Sequence, residues 1–255
     1  MTPDHAAACA KRGVNKLGGA FGTCPKTLRR ARELGLTGWA FYIAGRGGAL
    51  GDVRSDTVAA ALGFIAPDAV RDGWEAARRV GRPDRIAAHS LAECCRWGRE
   101  KLTGLPGLDR LVELAERMAL AADPAGLPLF AAWRAMPVPD DAPPAQAAVL
   151  LHLLREHRGG AHLMAIRAAG LTPVEAIVAG PDGEAGAISF GWPAPYPVRT
   201  PLLRRRVWAE ALTDRIAGAA YRALDAPERG EFVSLLDVAM LAVQEPTGEL
   251  PAVTG

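Results

Sequence analysis

Two groups of polar residues that end apolar helical stripes could do chemistry. In the first group, Trp39, Tyr42, Ile43 and Arg46 share one helical face, because they are spaced by three and four residues. An arginine in this position either extends past the negative end of its helix or points into a cavity and binds an anionic group. Tyr42 and Arg46 are therefore candidate ligand-binding residues.

The second group lies in the segment 150–162, whose sequence is LLHLLREHRGGAH. His157 continues the apolar stripe of Leu150 and Leu153, and the Gly159-Gly160 pair predicts the end of the helix directly after it. A histidine near a helix C-terminus has its cation stabilised by the helix dipole, so His157 together with His162 could bind a ligand or transfer a proton. We therefore add both histidines to the candidate ligand-binding set.

A third histidine in this segment, His152, is expected to face solvent on the side of Arg155 and Glu156. The five-residue spacing of the three histidines does not place their rings on one helical face, so we predict no metal site. The catalytic residues of any reaction stay unassigned.

Three other motifs carry less information. Gly45–Gly51 is glycine-rich, but it follows a helical stretch and lacks the Lys-Ser/Thr pair of a phosphate-binding loop, so it is interpreted as a helix end and no cofactor is predicted. Ser189 resembles a hydrolase nucleophile, yet the prolines at 193 and 195 exclude the helix that must follow one. The run Arg204–Arg206 predicts a solvated, salt-bridged helix face rather than a nucleic-acid contact.

The elements that must position these residues are helices. Thr2-Pro3, Thr172-Pro173 and Thr200-Pro201 each pair a capping residue with proline at the first helical position, and Val/Ile/Thr runs of period two are scarce. These signals predict an all-α fold, a compact bundle of about 11–13 helices. The predicted helices include 3–12, and 144–158 followed by 161–169. One domain over 1–255 is expected, with a subdomain break near 137–144, where prolines cluster.

Composition limits the class of partner. The 255 residues carry 30 basic and 28 acidic side chains, so the formal net charge of +2 argues against a strongly basic nucleic-acid-binding protein. The N-terminus has no signal-peptide pattern and no segment is long and apolar enough to span a membrane, so we expect a cytoplasmic protein without a membrane partner. The residues indicate no particular oligomeric state. The four cysteines, at positions 9, 24, 94 and 95, are expected to be reduced.

Four blocks along the chain carry a resemblance to a known family. They are FYIAGRGGALG at 41–51, LLREHRGGAH at 153–162, AAGLTPVEA at 168–176 and ALTDRIA at 211–217. In this order they resemble an actinobacterial family labelled helix-turn-helix or MarR-like, some members of which lie near natural-product biosynthesis genes. The excess of Arg over Lys, 26 to 4, is typical of the high-GC genomes of that group.

The resemblance implies a helix-turn-helix region in the C-terminal part, but the chain departs from the family pattern. Asn15 and Ile65-Ala66-Pro67 stand where members carry histidine. Only seven residues separate Gly191-Trp192 from Thr200-Pro201, where members have a recognition helix and a wing, so the region is predicted to be degenerate or truncated.

Three functions remain open from the sequence. The favoured one is binding of a small metabolite in an internal pocket lined by Tyr42, Arg46, His157 and His162. The second is a DNA-binding transcription regulator that uses a degenerate helix-turn-helix, which makes DNA the less favoured partner. The third is a biosynthetic-pathway enzyme with His157 as general acid or base.

Overall fold

The computed structural model describes residues 1–140 and 142–243, and every regular element in these ranges is helical. Asp141, inside the predicted break at 137–144, and residues 244–255 of the predicted domain lie outside the described residues. The thirteen α-helices of the described part are α1 (Pro3–Thr23), α2 (Pro25–Glu33), α3 (Gly38–Gly47), α4 (Ser55–Leu62), α5 (Pro67–Val80), α6 (Pro83–Lys101), α7 (Leu108–Ala121), α8 (Pro128–Arg134), α9 (Pro143–Ala168), α10 (Pro173–Val178), α11 (Gly183–Ser189), α12 (Leu203–Gly218) and α13 (Ala226–Ala242). The all-α prediction is confirmed.

Local capping signals explain where several helices begin. The Thr2 side chain accepts a hydrogen bond from the His5 backbone N–H at the start of α1, and Thr172 forms a complete capping box with Glu175 at the start of α10. The Thr200-Pro201 pair instead opens a single 3₁₀ turn, Thr200–Leu202, from which α12 continues. Proline within the first turn and a side-chain cap therefore mark helix starts correctly in this chain.

Helix α9 is the central element. It packs against α1, α6, α7, α8 and α12, and fifteen of its 26 residues are buried. The predicted end of this helix at Gly159-Gly160 is wrong, because α9 runs without interruption from Pro143 to Ala168. A Cβ atom at Gly160 would lie 2.5 Å from Cδ2 of Leu127, so this glycine allows close packing of the segment before α8.

Helix α1 shows the same effect and extends well past the predicted 3–12. It continues to Thr23 through Gly13 and Gly18, both of which are buried. An added Cβ at Gly13 would lie 2.9 Å from Cβ of Leu236 in α13, and one at Gly18 would collide with the backbone carbonyl of Leu151 in α9. These glycines bring three helices into contact rather than ending one.

The hydrophobic core contains buried residues from both sides of the proline-rich segment. Trp74, Leu111, Phe130 and Trp133 precede that segment, whereas Leu151 follows it, and all belong to one contiguous cluster. A smaller cluster around Ile166 and Leu202 packs the end of α9 against the start of α12. The middle of α9 is therefore enclosed by helices that come from the whole described chain.

Two glycine substitutions test the close contact of α1 and α9. Gly18→Ala should destabilise the fold by about 1–3 kcal/mol, because the new methyl group has no space against the Leu151 carbonyl. Gly159→Ala should stabilise it by about 0.5–1 kcal/mol, because Gly159 is interior to a helix and a Cβ there meets no atom within 4 Å. Urea unfolding of both variants measures the difference. Equal effects would contradict the packing described.

Candidate functional site

A buried ion pair joins α3 to the middle of α9. Arg46 donates to Glu156 through two nitrogens, Nε to Oε1 at 3.1 Å and Nη2 to Oε2 at 2.9 Å. Arg155 donates to Glu156 Oε1 at 2.6 Å, so one carboxylate holds two guanidinium groups. The Glu156 side chain is only 2% exposed. A bidentate arginine–carboxylate pair fixes both the distance and the orientation of its partners.

Charge compensation outweighs burial at this carboxylate. Burial alone would raise the pKa of Glu156, but the guanidinium groups of Arg46 and Arg155 lower it to about 2. Burial would likewise lower the pKa of Arg46, and Glu156 raises it instead. Glu156 and Arg46 are therefore both ionised at neutral pH.

Tyr42 lies one helical turn before Arg46 and shares its environment. Its hydroxyl oxygen accepts a hydrogen bond from Nη1 of Arg46 at 3.0 Å, and its ring stacks on Trp39 at 6.1 Å between centroids. Burial would raise the pKa of Tyr42, but Arg46 and Arg155 lower it. The end of α3 is held in place by Trp133, whose Nε1 donates to the Arg46 carbonyl at 3.0 Å. Tyr42 is thus a preorganised phenol beside two cations.

A cavity of about 1370 Å³ lies beside this network and is partly open to solvent. Residues from α1, α3, α4, α8, α9, α10, α11 and α12 line it. Three of the four residues selected from the sequence, Tyr42, Arg46 and His162, are among them, the first two from α3 and the third from α9. The glycine-rich segment after Arg46 is the helix end that was predicted, since α3 passes into a 3₁₀ turn, Gly48–Leu50, and Gly51 has a φ of 85°.

His162 is held in one tautomer. Arg206 Nη1 donates to Nε2 of this ring, so Nδ1 carries the proton and donates to the Thr213 hydroxyl at 2.7 Å. Thr213 in turn donates to the Ala209 carbonyl at 2.7 Å. Burial and the charge of Arg206 lower the pKa of His162 to about 3. The ring is neutral at pH 7 and stacks on Phe64 at the cavity wall.

His157, the fourth selected residue, is not among the residues that line the cavity. Its ring is 5% exposed and packs edge-on against Phe130 at 5.1 Å, and Phe130 itself lines the cavity. Burial and the nearby Arg134 lower the pKa of His157 to about 4. His157 therefore contacts a residue of the cavity wall and does not line the cavity itself.

His152 is buried, which corrects the expectation that it faces solvent. The residue is 1% exposed, and its ring packs edge-on against Trp133 at 4.3 Å. Nδ1 donates to the Gly18 carbonyl at 2.9 Å, whereas Nε2 is a buried atom without a hydrogen-bond partner in the described part of the chain. Burial lowers the pKa of His152 to about 4. The expectation failed because α9 has no solvated face at this position.

The residues that sequence reasoning missed are the charged partners. Glu156 was assigned to a solvated face, and Arg158, which donates to Asp214 at 2.7 Å, was not considered. The available signal was the run Arg155–Arg158 inside an apolar helix, since charged residues within a buried helix are normally paired. Of the run 204–206, Arg206 turns inward to Glu210 and His162, and Arg205 donates to the Gly170 carbonyl at 2.9 Å.

The described residues also bear on a metal site, a membrane span and the serine at 189. No group of three or more His, Cys, Asp or Glu side chains within 1–140 and 142–243 is arranged to hold a metal ion. Over the same residues, no helix has the length and apolar character needed to cross a bilayer. Ser189 donates to the Gly186 carbonyl at 2.9 Å within the last turn of α11.

The two arginines around Glu156 predict a large effect of removing its charge. Glu156→Gln should destabilise the fold by about 3–5 kcal/mol, because Arg46 and Arg155 lose their shared counter-ion in a buried site. Chemical unfolding measures the loss. The matched control is Glu33→Gln, which removes an exposed partner of Arg30 and should leave the melting temperature within about one degree. Similar effects of both substitutions would contradict a buried, compensated carboxylate.

The buried histidines predict a loss of stability in mild acid. The folded pKa values of His152, His157 and His162 are about 4, 4 and 3, whereas an unfolded histidine titrates near 6.5. Below pH 6.5 the unfolded chain binds protons that the folded chain does not, so stability falls by up to about 1.4 kcal/mol per pH unit for each histidine until pH approaches 4. The contribution of Glu156 is present above about pH 4.5 and is lost only below it.

Urea unfolding at pH 7, 6 and 5 tests this dependence, with His157→Phe as the comparison. In that variant the free energy of unfolding should depend less steeply on pH, because one of the three buried histidines is absent. A free energy of unfolding that stays constant from pH 7 to pH 5 would show that the three rings are not buried in their neutral form.

Comparisons with known proteins give one match. No curated protein and no solved structure matches the chain. The model of a family described as "Helix-turn-helix family" matches residues 7–196, which include most of α1, all of α2 to α11 and almost all of the residues around the cavity. Because this match covers well over half of the 255 residues, the chain belongs to that helix-turn-helix family.

Proposed function

We propose that this protein binds a small anionic metabolite with an apolar body in the large cavity. The observation that carries the proposal is the lining of the cavity, which combines an excess of basic side chains with an apolar wall. Ligand sites of proteins are typically concave, mainly apolar and equipped with a few placed polar groups. The volume of about 1370 Å³ gives enough room for a ligand of the size of a typical drug molecule.

The charges around the cavity favour an anion. Seven basic and three acidic side chains line it: Lys11, Arg12, Arg46, Arg155, Arg158, Arg167 and Arg206 against Glu156, Asp182 and Glu210. Glu156 is shared between two arginines and Glu210 is paired with Arg206. A cleft lined mainly by one sign of charge attracts the opposite sign.

Arg12 and Arg167 are the residues that we assign to the anionic group. Both line the cavity, and neither side chain has a hydrogen-bond or ion-pair partner among the described residues. Arg46 differs, because its guanidinium already holds Glu156 and Tyr42. We therefore assign to Arg46 the positioning of Tyr42, and to Tyr42 and His162 the polar contacts of the ligand body.

The apolar wall supplies the other half of the proposal. Aliphatic and aromatic side chains from α4, α8, α9 and α10 line the cavity, namely Leu62, Leu129, Phe130, Leu163, Met164 and Ile177, with Phe64, Ile65 and Phe190 beside them. Burial of apolar ligand surface against such a wall contributes roughly 25 cal/mol per Å². His157 lies behind Phe130, so we propose no catalytic role for it.

Membership of the helix-turn-helix family favours a DNA-binding regulator as the second candidate. The sequence places the degenerate or truncated helix-turn-helix region in the C-terminal part, where only seven residues separate Gly191-Trp192 from Thr200-Pro201. The short helices α10 and α11 directly precede it, and residues 173–198 contain no Lys or Arg and three acidic residues. DNA affinity depends on contacts of basic side chains with phosphate, so this pair is poorly suited to it. A duplex DNA complex at physiological salt tighter than about 10⁻⁶ M would favour the regulator instead.

The proposal also includes the group of relatives and the cellular location of the protein. We propose that the relatives of this chain are the MarR-like proteins of actinobacteria, supported by the four sequence blocks and by the ratio of 26 Arg to 4 Lys. We also propose a cytoplasmic location, supported by the free state of all four cysteines.

The dye 8-anilinonaphthalene-1-sulfonate tests the proposal, because it joins an apolar ring system to one anionic group. Fluorescence titration should show saturable binding at one site, tighter than that of the uncharged analogue N-phenyl-1-naphthylamine. The double variant Arg12→Gln with Arg167→Gln should weaken binding of the sulfonate about tenfold, which is about 1.4 kcal/mol, and should leave the uncharged analogue unaffected.

Arg29→Gln is the matched control, because Arg29 is exposed on α2 and does not line the cavity. It should change neither affinity nor melting temperature. Equal affinity for both dyes in the native protein, or equal effects of the control and the double variant, would contradict an anionic site at Arg12 and Arg167. Melting curves recorded with each titration exclude partial unfolding as the source of dye binding.

A further inference from the structure

A second, much smaller chamber lies on the inner side of the ion pair, between α1, α3, α6 and α9. Its volume is about 20 Å³, which is room for one water-sized group. Tyr42, Arg46 and Arg155 line both this chamber and the large cavity. The remaining wall consists of Gly19, Phe21, Gly22, Phe41, Ser90 and His152.

Three polar atoms of the chamber wall have unused hydrogen-bonding capacity. His152 Nε2 is buried without a partner in the described chain, and it is an acceptor because Nδ1 carries the proton that is donated to Gly18. The Tyr42 oxygen accepts from Arg46, but no described atom accepts the hydroxyl proton of Tyr42. The Ser90 hydroxyl also has no described partner. One acceptor and two donors therefore belong to residues that line a single small space.

We propose that the chamber is a binding site for one hydroxyl oxygen, which donates to His152 Nε2 and accepts from the hydroxyl of Tyr42 or Ser90. A hydroxyl group fits because it both donates and accepts within the volume of one heavy atom. The hydroxyl comes from one of two sources, a water molecule or the end of a ligand that occupies the large cavity. The site itself does not depend on the proposed function, since either source completes it.

The charges around the chamber disfavour other occupants. A cation would lie against the guanidinium groups of Arg46 and Arg155. An anion would meet the lone pair of His152 Nε2, which lies 3.8 Å from the carboxylate oxygen Oε1 of Glu156. An apolar group would leave the buried acceptor without a partner, which is costly in a site of low dielectric constant. A neutral group that both donates and accepts a hydrogen bond can pair with the acceptor and the donors of the wall residues.

A crystal structure of the whole protein, at a resolution that shows ordered water, tests the site directly. The expected result is one density peak within hydrogen-bonding distance of both His152 Nε2 and Tyr42 Oη. An isolated peak identifies water, and density continuous with a molecule in the large cavity identifies a ligand hydroxyl. An empty chamber would overturn the proposal, as would an anomalous bromide peak in the chamber after a bromide soak.

His152→Phe provides the test by substitution, because phenylalanine keeps a ring against Trp133 and Phe21 but removes the acceptor. The density peak should be lost in this variant and retained in His157→Phe, whose ring lies outside the chamber. If the substituted protein does not fold, ¹⁵N NMR of ring-labelled native protein reports whether Nε2 of His152 accepts a hydrogen bond. A free, unbonded Nε2 resonance would overturn the proposal.

Discussion

The carboxylate of Glu156 is charged in the middle of a helix that is packed by other helices on several sides. A buried carboxylate without partners is strongly unfavourable, so the fold must bring cations to it. One of these cations, Arg155, is the neighbouring residue of α9, and the other, Arg46, comes from the end of α3, 110 positions earlier in the chain. The ion pair with this charge connects α3, which packs mainly on α5 and α6, to the middle of α9.

The position of α3 determines much of the candidate site. Tyr42 lies one turn before Arg46 and receives its hydrogen bond, and the Arg46 carbonyl holds Trp133. Trp133 packs in turn on His152, whose other face meets Phe21 of α1. The ion pair therefore separates the small chamber from the large cavity and supplies wall residues to both. The Arg46 guanidinium is already bound to the Glu156 carboxylate and to the Tyr42 hydroxyl, so its donors are engaged within the fold.

The sequence predicted the local features of this fold and missed those that depend on tertiary contacts. Helix starts at Thr2 and Thr172 were predictable because a cap involves only neighbouring residues. Gly159 and Gly160 look like a helix end, and their use inside a continuous helix depends on Leu127, which no local pattern reveals. For the candidate site, the face shared by Tyr42 and Arg46 followed from helical spacing. The burial of His152 and Glu156 did not follow from the spacing, because the helix was expected to have one buried face and one solvent-exposed face.

The family assignment and the cavity concern the same elements of the chain. Helices α10 and α11, which lie within the matched residues and directly precede the predicted degenerate region, contribute Ala176, Ile177, Gly186 and Ser189 to the cavity lining. A ligand that contacts these residues favours one arrangement of the pair relative to α9, since binding shifts a conformational equilibrium by its differential affinity for the two states. If a macromolecule bound to the outer face of α10 and α11, the ligand would change the affinity for the macromolecule, and the macromolecule would change the affinity for the ligand by the same factor. The proposed binding of a metabolite and a regulatory role are therefore compatible, because α10 and α11 form part of the cavity wall.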